Sequence, residues 1–386
     1  LDEIGFWNRA LTNDEIINYS NNSLNGNEEG LVGYWDFNDG SGSTLSDLSV
    51  NGNNGTIYGA TWSNDNSDPS VIYVPADYST IQAGINAASD RDTVKVASGT
   101  YEENINFNGK NIVLIGEDKY NTIIDGGSDN NLPAVKFREY DYTHSTQISG
   151  FKIQNYGNDG ISVLNGGSPK ISNCIVYGVN GSDNAGGIYI AGDGIGSSVV
   201  VERCLIYGNQ TINSENGGIR IASNNGRASA QIINCTITQN FPEGVRVHGS
   251  DTNVKIINSI IYNNSSENIS NQGILDMSYS LVDGSHSGEG VINFNPMFCD
   301  PDNEDYSLAE NSPAIGSGEN GADIGALGVG CDALDLSLTI NEIMNNPSAV
   351  SDSDGEWFEI FNNGDVSHDL NGWTIKDNGS DSHVIS

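Results

Sequence analysis

Residues 160–163 read Gly-Ile-Ser-Val, and the phrase returns as Gly-Ile-Tyr-Ile at 187–190, Gly-Ile-Arg-Ile at 218–221 and Gly-Val-Arg-Val at 244–247. The starts are 27, 31 and 26 residues apart. Self-similarity at such a period marks a solenoid, whose units bury their apolar faces only by stacking on one another. Ile105-Asn106-Phe107 and Val135-Lys136-Phe137 extend the series upstream without the glycine, and Asn268-Ile269-Ser270 extends it downstream. Each unit alternates apolar, polar, apolar, which sends its middle side chain outward. A second series, Phe151, Cys174, Cys204, Cys235 and Ser259, runs in step in the contexts ISGFKI, ISNCIV, VERCLI, IINCTI and IINSII. Five residues behind its later members come Asn209, Asn240 and Asn264. Three ladders with a shared period place each turn of chain on the previous one, leaving free strand edges only at the two ends.

These ladders resemble the right-handed parallel β-helix, the pectin-lyase-like fold, over about residues 71–330. The resemblance includes a cap: DYSTIQAGINAA (77–88) sets Ile81, Ile85 and Ala88 on one helical face, where the fold often covers its first coil. The next stretch, DTVKVASGTYEENINFNGKNIVLIGEDKYNTIIDG, is similar to the opening coil of pectinesterase-like proteins. FNPMFCDPDNEDYSLAENSPAIGSGENGADIGALGVGC resembles the closing segment of many secreted β-helix proteins. The resemblance implies an all-β fold of about seven or eight coils.

The flanks carry other resemblances. LDEIGFWNRALTNDEI (1–16) resembles the last strand of a laminin-G-like jelly roll, and LVGYWDFNDGSGSTLSDLSVNGNNGTIYGATW (31–62) resembles the opening of another. Neither is a whole domain, so a working lectin site does not carry over, and LVGYWDF and GTIYGATW are expected as strands of a small β unit. Trp7, Tyr34, Trp35 and Trp62 read as core residues, with sugar stacking as the alternative. Residues 338–386 resemble about half of a lamin-tail domain, an immunoglobulin-like sandwich, with strands expected at Trp357–Phe361 and Trp373–Ile375. The expected division is therefore 1–20, the end of a jelly roll; 21–70, a linker and the start of a laminin-G-like segment; 71–332, the β-helix with its capping helix; and 336–386, a partial lamin-tail-like domain. The chain reads as a piece of a longer polypeptide, monomeric within it.

The formal net charge of −36 argues against nucleic acid and an anionic membrane surface as partners, since both require a cationic footprint. No apolar run is long enough to insert into a membrane. The acidity suits a secreted or cell-surface protein and offers carboxylates to Ca²⁺, although an acidic surface also serves solubility alone. Asp352, Asp354 and Glu356 alternate around a turn glycine like a Ca²⁺ loop without its full ligand pattern; a polar inter-strand loop is the alternative. Stacked Cys174, Cys204 and Cys235 point in parallel and are expected as buried free thiols. Cys299 and Cys331 bracket the closing segment and are expected to pair.

With Ile and Val facing in, the outward residues in rung order are Asn106, Lys136, Ser162, Tyr189, Arg220, Arg246 and Ser270. Three are cationic in a chain with only 15 Lys and Arg. Arg220 and Arg246 fall on successive rungs, about 5 Å apart, and would repel unless an anion or carboxylates bridge them. Asp193, His248 and Asp251 lie just beyond strand ends, and Glu243 precedes the strand of Arg246.

The functional reading is a groove gripping a polysaccharide or cell-surface glycan, with Arg forks on carboxylate or sulfate and Tyr189 under a sugar ring. Lys136, Asp193, Glu243 and Asp251 would assist binding. The preferred reading is a protein that binds glycans or mediates adhesion without catalysis, and the alternative is a polysaccharide lyase or, less readily, a hydrolase. A lyase would use Arg220, Arg246, Tyr189 and His248 to neutralise a uronate and remove its proton; a hydrolase would use paired carboxylates among Glu243, Asp193 and Asp251. Against both stand two arginines merely paired with nearby acids on a solvated face, and a pure spacer. The downstream pectinesterase stretches, the WxDH-type stretch of pectate lyases and the NTD, GHG and RIK signatures of polygalacturonases are missing. Neither GxSxG, a P-loop nor HExxH occurs.

Overall fold

The computed structural model describes residues 4–12, 15, 16, 19, 24–60, 69–127, 132–137, 145–154, 157–178, 180, 181, 186–192, 196–211, 217–224, 226–334, 338–344, 357–362, 370, 374–376 and 382–384. They fall into two compact units, Leu1–Asp68 and Pro69–Ser386.

In the first unit, Ile4–Trp7 pairs antiparallel with Leu31–Trp35, and Thr44–Leu45 with Gly55–Thr56. The Asp47 carboxylate ties them together by accepting the N–H groups of Tyr34, Ser49 and Asn53. Burial pushes its pKa up, but these donors outweigh it and hold the group below its ordinary range. Tyr34 is buried, and Trp7 stacks on Tyr19 at 5.1 Å, so these aromatics pack internally. The expected strand GTIYGATW shrinks to Gly55–Thr56, leaving Tyr58 89% exposed. Its partner strand spans only Thr44–Leu45, and pairing ends where the Ile57 N–H donates to the Ser43 carbonyl. Trp62 lies outside the described residues.

In the second unit, three large sheets form in which every neighbouring pair is parallel. The nine-stranded sheet runs from Val71–Val74 to Ile274–Ser278, the eight-stranded sheet from Gly99–Glu102 to Leu281–Val282, and the seven-stranded sheet from Ile105–Asn106 to Glu267–Asn271. The chain visits them in that order once per coil, as Lys170–Ser172, Ile175–Tyr177 and Ile188–Ala191 show. The corner between the first two is turned by one residue in the left-handed region: Asn173, Arg203, Asn234 and Asn258, with φ of 49–53°. Asn tolerates this conformation better than most residues.

The interior follows the repeats. Ile188, Ile190, Ile219, Ile221, Val245 and Val247 are at most 1% exposed. Cys174, Cys204 and Cys235 form a buried column of free thiols, continued by Ser259, whose Oγ accepts the Cys235 N–H. The asparagines form an amide ladder: Asn209 Nδ2 donates to Asn240 Oδ1 (2.9 Å), Asn240 Nδ2 to Asn264 Oδ1 (3.0 Å), and Asn264 Nδ2 to Asn268 Oδ1 (2.8 Å).

The stack is covered at its first coil and along one outer face. The helix Ile81–Ala87 is N-capped by Thr80 and buries Ile81, Gly84 and Ile85 on the first coil. It is shorter than DYSTIQAGINAA because Asp77 accepts the Tyr73 N–H in a turn and Ala88 is already extended. Lys110 completes its C-terminal end by donating to the carbonyls of Ile85, Asn86 and Ala88. At the other end, the closing segment folds back over the outer side of the eight-stranded sheet. Phe298, Tyr306, Leu308, Ala314 and Ile324 pack with Ile175, Leu205, Ile260 and Leu281 as a second apolar core. The expected Cys299–Cys331 disulfide is formed and closes this segment.

The strand pairs Leu338–Met344 with Trp357–Asn362, and Thr374–Lys376 with Ser382–Val384, are antiparallel, as a sandwich requires. Among the described residues, no helix is long and apolar enough to cross a membrane.

Candidate functional site

The closing segment covers the eight-stranded sheet, and the polar row lies on the seven-stranded sheet. Its register is Asn106↔Lys136↔Ser162↔Tyr189↔Arg220↔Arg246↔Ser270, each residue directly beside the next. The outward ladder therefore exists in the expected order. Lys136, Tyr189, Arg220, Arg246 and Ser270 are partly exposed, while Ser162 is buried at 4%.

The two arginines avoid each other by turning to different partners. Arg246 Nη1 donates to Glu243 Oε1 at 2.8 Å, and the two side chains retain only 11% and 10% exposure. Glu243 and Arg246 lie three residues apart in one strand, Glu243–His248, so the pair is local to one rung. Arg220 instead reaches back one rung, placing its guanidinium carbon 5.3 Å from the Tyr189 ring centroid. A cation over an aromatic face is stabilised by about 0.5–2 kcal/mol, more as water is excluded. The Tyr189 hydroxyl accepts a hydrogen bond from Asn224 Nδ2 (3.1 Å) just beyond the Arg220 strand, fixing the ring.

One residue of this face escapes alternation: Asp159, 4% exposed, precedes the strand Ile161–Val163. Its Oδ1 accepts the Gly186 N–H at 3.3 Å, its carboxyl is hydrogen-bonded to the Ser162 side chain, and it feels the Arg220 charge. Burial pushes this carboxyl up to about 7, against the downward pull of those three partners. Asp159-Gly160-Ile161-Ser162 lines up with Glu243-Gly244-Val245-Arg246, so the acid three residues before the outward position recurs. On the two intervening rungs that position is Gly186 and Gly217, which leaves the column without side chains between the acids.

The remaining candidates are dispersed. His248 closes the Arg246 strand on the same outward face, with Nδ1 buried and no hydrogen-bond partner. Asp251 is exposed in the turn leading to Thr252–Ile257 of the next sheet and does not join the row. Asp193 and the trio Asp352, Asp354 and Glu356 lie outside the described residues. Among the described residues, no three His, Cys, Asp or Glu side chains are grouped to hold a metal ion.

Residues 83–261 match the family described as the right handed beta helix region. This part of the chain is a right-handed parallel β-helix. Residues 335–386 match the Lamin Tail Domain, in agreement with the lamin-tail-like segment. No curated protein matches the chain. Among solved structures, the β-helix is similar to pectin methylesterase from carrot, at 16% identity and a TM-score of 0.29, over 56% of this chain and 90% of that one. It is also similar to pectate lyase Pel9A, at 14% identity and a TM-score of 0.34, over 68% and 97%. Neither likeness carries an argument about the chemistry of this β-helix.

Proposed function

We propose that this is a secreted or cell-surface protein that holds an anionic polysaccharide along the seven-stranded face of its β-helix. The observation that carries the reading is the in-register row Lys136, Ser162, Tyr189, Arg220 and Arg246. Cations are scarce in this chain, 15 against 51 acids, yet three share one row. The rungs repeat at about 4.8 Å, close to the length of one sugar unit, so successive side chains can meet successive residues of an extended glycan. Tyr189 offers a flat face, and Arg220 a fork for a carboxylate or sulfate.

Retention of the full chain on polygalacturonate, alginate and sulfated glycosaminoglycan, followed as salt is raised, tests the reading. Arg220→Gln and Lys136→Gln should weaken binding, whereas Lys255→Gln on the exposed side of the nine-stranded sheet should not. Equal retention of all three variants would refute the assignment to this face.

A second reading is β-elimination from the same glycan, supported by Tyr189 and Arg220 meeting at one point. Arg220 would neutralise the uronate carboxylate and acidify the neighbouring C–H; Tyr189 would take that proton as the C–O bond to the leaving sugar breaks. Appearance of ultraviolet-absorbing unsaturated ends, lost in Tyr189→Phe, would establish it. Bound but intact glycan would leave the binding reading alone.

A further inference from the structure

The outer column of the eight-stranded sheet reads Tyr177↔Tyr207↔Thr238↔Tyr262, one residue per rung. Tyr177 stacks on Tyr207 at 4.6 Å, and Tyr207 meets Tyr306 of the closing segment at 4.9 Å. Thr238 interrupts this aromatic column with a side chain too short to continue it. The closing segment arches over the interruption and leaves a cavity of about 270 Å³ between residues 297–302 and the strands Thr236–Thr238 and Ile260–Tyr262. The walls are fixed. Asn311 holds both backbone groups of the lining residue Leu334, accepting its N–H and donating to its carbonyl at 2.9 Å each. The Cys299–Cys331 disulfide ties the two wall segments together, three residues from Asp302 on one and three from Leu334 on the other.

Two amides of the lining are oriented by bonds to their oxygens. Gln239 Oε1 accepts the Tyr306 hydroxyl (2.8 Å), and Asn295 Oδ1 accepts the Met297 N–H (2.9 Å). Their NH₂ groups remain as donors with no protein partner among the described residues. Asp302 supplies an acceptor, and Tyr262, half-buried against the second apolar core, supplies a flat face. A hydroxylated ring needs this combination of donors, acceptor and aromatic surface. The lining holds one carboxylate and no Lys, Arg or His, and the arch adds Asp300, Glu304 and Asp305, so an anionic ligand is repelled. Small-molecule pockets begin at about 300 Å³, which limits this one to a single ring. We infer that the cavity is a binding site for one uncharged sugar residue, stacked on Tyr262 and hydrogen-bonded by Gln239, Asn295 and Asp302. The site is separate from the row on the seven-stranded sheet and does not depend on the function proposed for that row.

The test titrates the full, disulfide-bonded chain calorimetrically with galactose, glucose and mannose, and with the matching uronates, which replace the C6 hydroxymethyl by a carboxylate. At least one neutral sugar should bind, and its uronate should bind roughly tenfold more weakly or worse. Tyr262→Leu should weaken binding by roughly tenfold. Thr238→Tyr, which completes the aromatic column across the cavity, should abolish it. Hydrogen exchange on the wild-type chain needs no variant: the bound sugar should slow exchange in residues 295–302 and at Gln239 and Asn263, and leave the strand Ile188–Ala191 unchanged. Failure of all three neutral sugars to bind would overturn the site. So would equal or tighter binding of the uronate, unchanged affinity of a folded Tyr262→Leu, or protection confined to other parts of the chain. None of these outcomes bears on retention of acidic glycan by the seven-stranded face.

Discussion

Replacing Asn240→Ala cuts the amide ladder at its centre. The Asn240 side chain donates to the carbonyls of Ile206 and Thr238 (both 3.0 Å) and to Asn264 Oδ1, and it accepts from the Asn209 N–H (3.2 Å) and side-chain amide. All of this occurs at a residue with 0% exposure. After truncation, Asn209 Nδ2 keeps the Val176 carbonyl and Asn264 Oδ1 keeps the Asn240 N–H. The Asn209 N–H and two buried carbonyls lose this partner. At about 1–3 kcal/mol for a stranded donor, and less for a carbonyl with a second lone pair, the loss comes to about 3–5 kcal/mol. Urea unfolding followed by far-UV circular dichroism reads this directly. Tryptophan emission would not, since the five Trp residues lie at 7, 35, 62, 357 and 373, outside the coils. Lys255→Ala, on an exposed position of an adjacent sheet, should change stability by less than about 0.5 kcal/mol. An Asn240→Ala loss no larger than that of Lys255→Ala would show that the ladder contributes nothing beyond filling space.

Burial pushes the Asp159 carboxyl of the folded chain up to about 7 from an ordinary 3.8. The folded chain thus binds a proton that the unfolded chain has already released, so its contribution to stability is greatest below the ordinary value and is lost as pH rises to about 7. Asp159→Asn should accordingly become more stable than wild type by on the order of a few kcal/mol, with the gap opening through that window; a gap constant with pH would contradict the buried, raised carboxyl. Removing the Cys299–Cys331 bond by paired Ser substitution opens a loop of 32-residue separation, an entropy worth about 3–4 kcal/mol. It should free the closing segment from Tyr207 before the coils melt, seen as early loss of near-UV tyrosine dichroism; a single coincident transition would refute this order.

The core and the row of Arg220 were legible because both rest on alternation. A period of two within each strand and a shared period between coils leave only one register, and Tyr189↔Arg220↔Arg246 is that register. Asp159 was hidden because it precedes its strand, where alternation does not apply, and because Gly186 and Gly217 interrupt the acidic column between it and Glu243. The partners of the two arginines were equally invisible, since Arg246→Glu243 is a same-rung contact and Arg220→Tyr189 a backward one, and both depend on rotamers. Ile175, Leu205, Ile260 and Leu281 break alternation by being apolar on the outer side. What covers them is the segment containing Phe298–Ile324, a contact that no local period encodes.

That fold-back also changes how the protein would bear a load. A bare stack pulled along its axis surrenders coils one after another from the end. Here Tyr306 donates to Gln239 and Tyr207 to Glu304, while the N–H of Ala326 reaches Thr236 Oγ1 and that of Glu319 reaches Asn258 Oδ1. The segment thus works as a splint spanning several coils. Tension entering at its C-terminal end is spread in shear across those attachments instead of peeling the last coil.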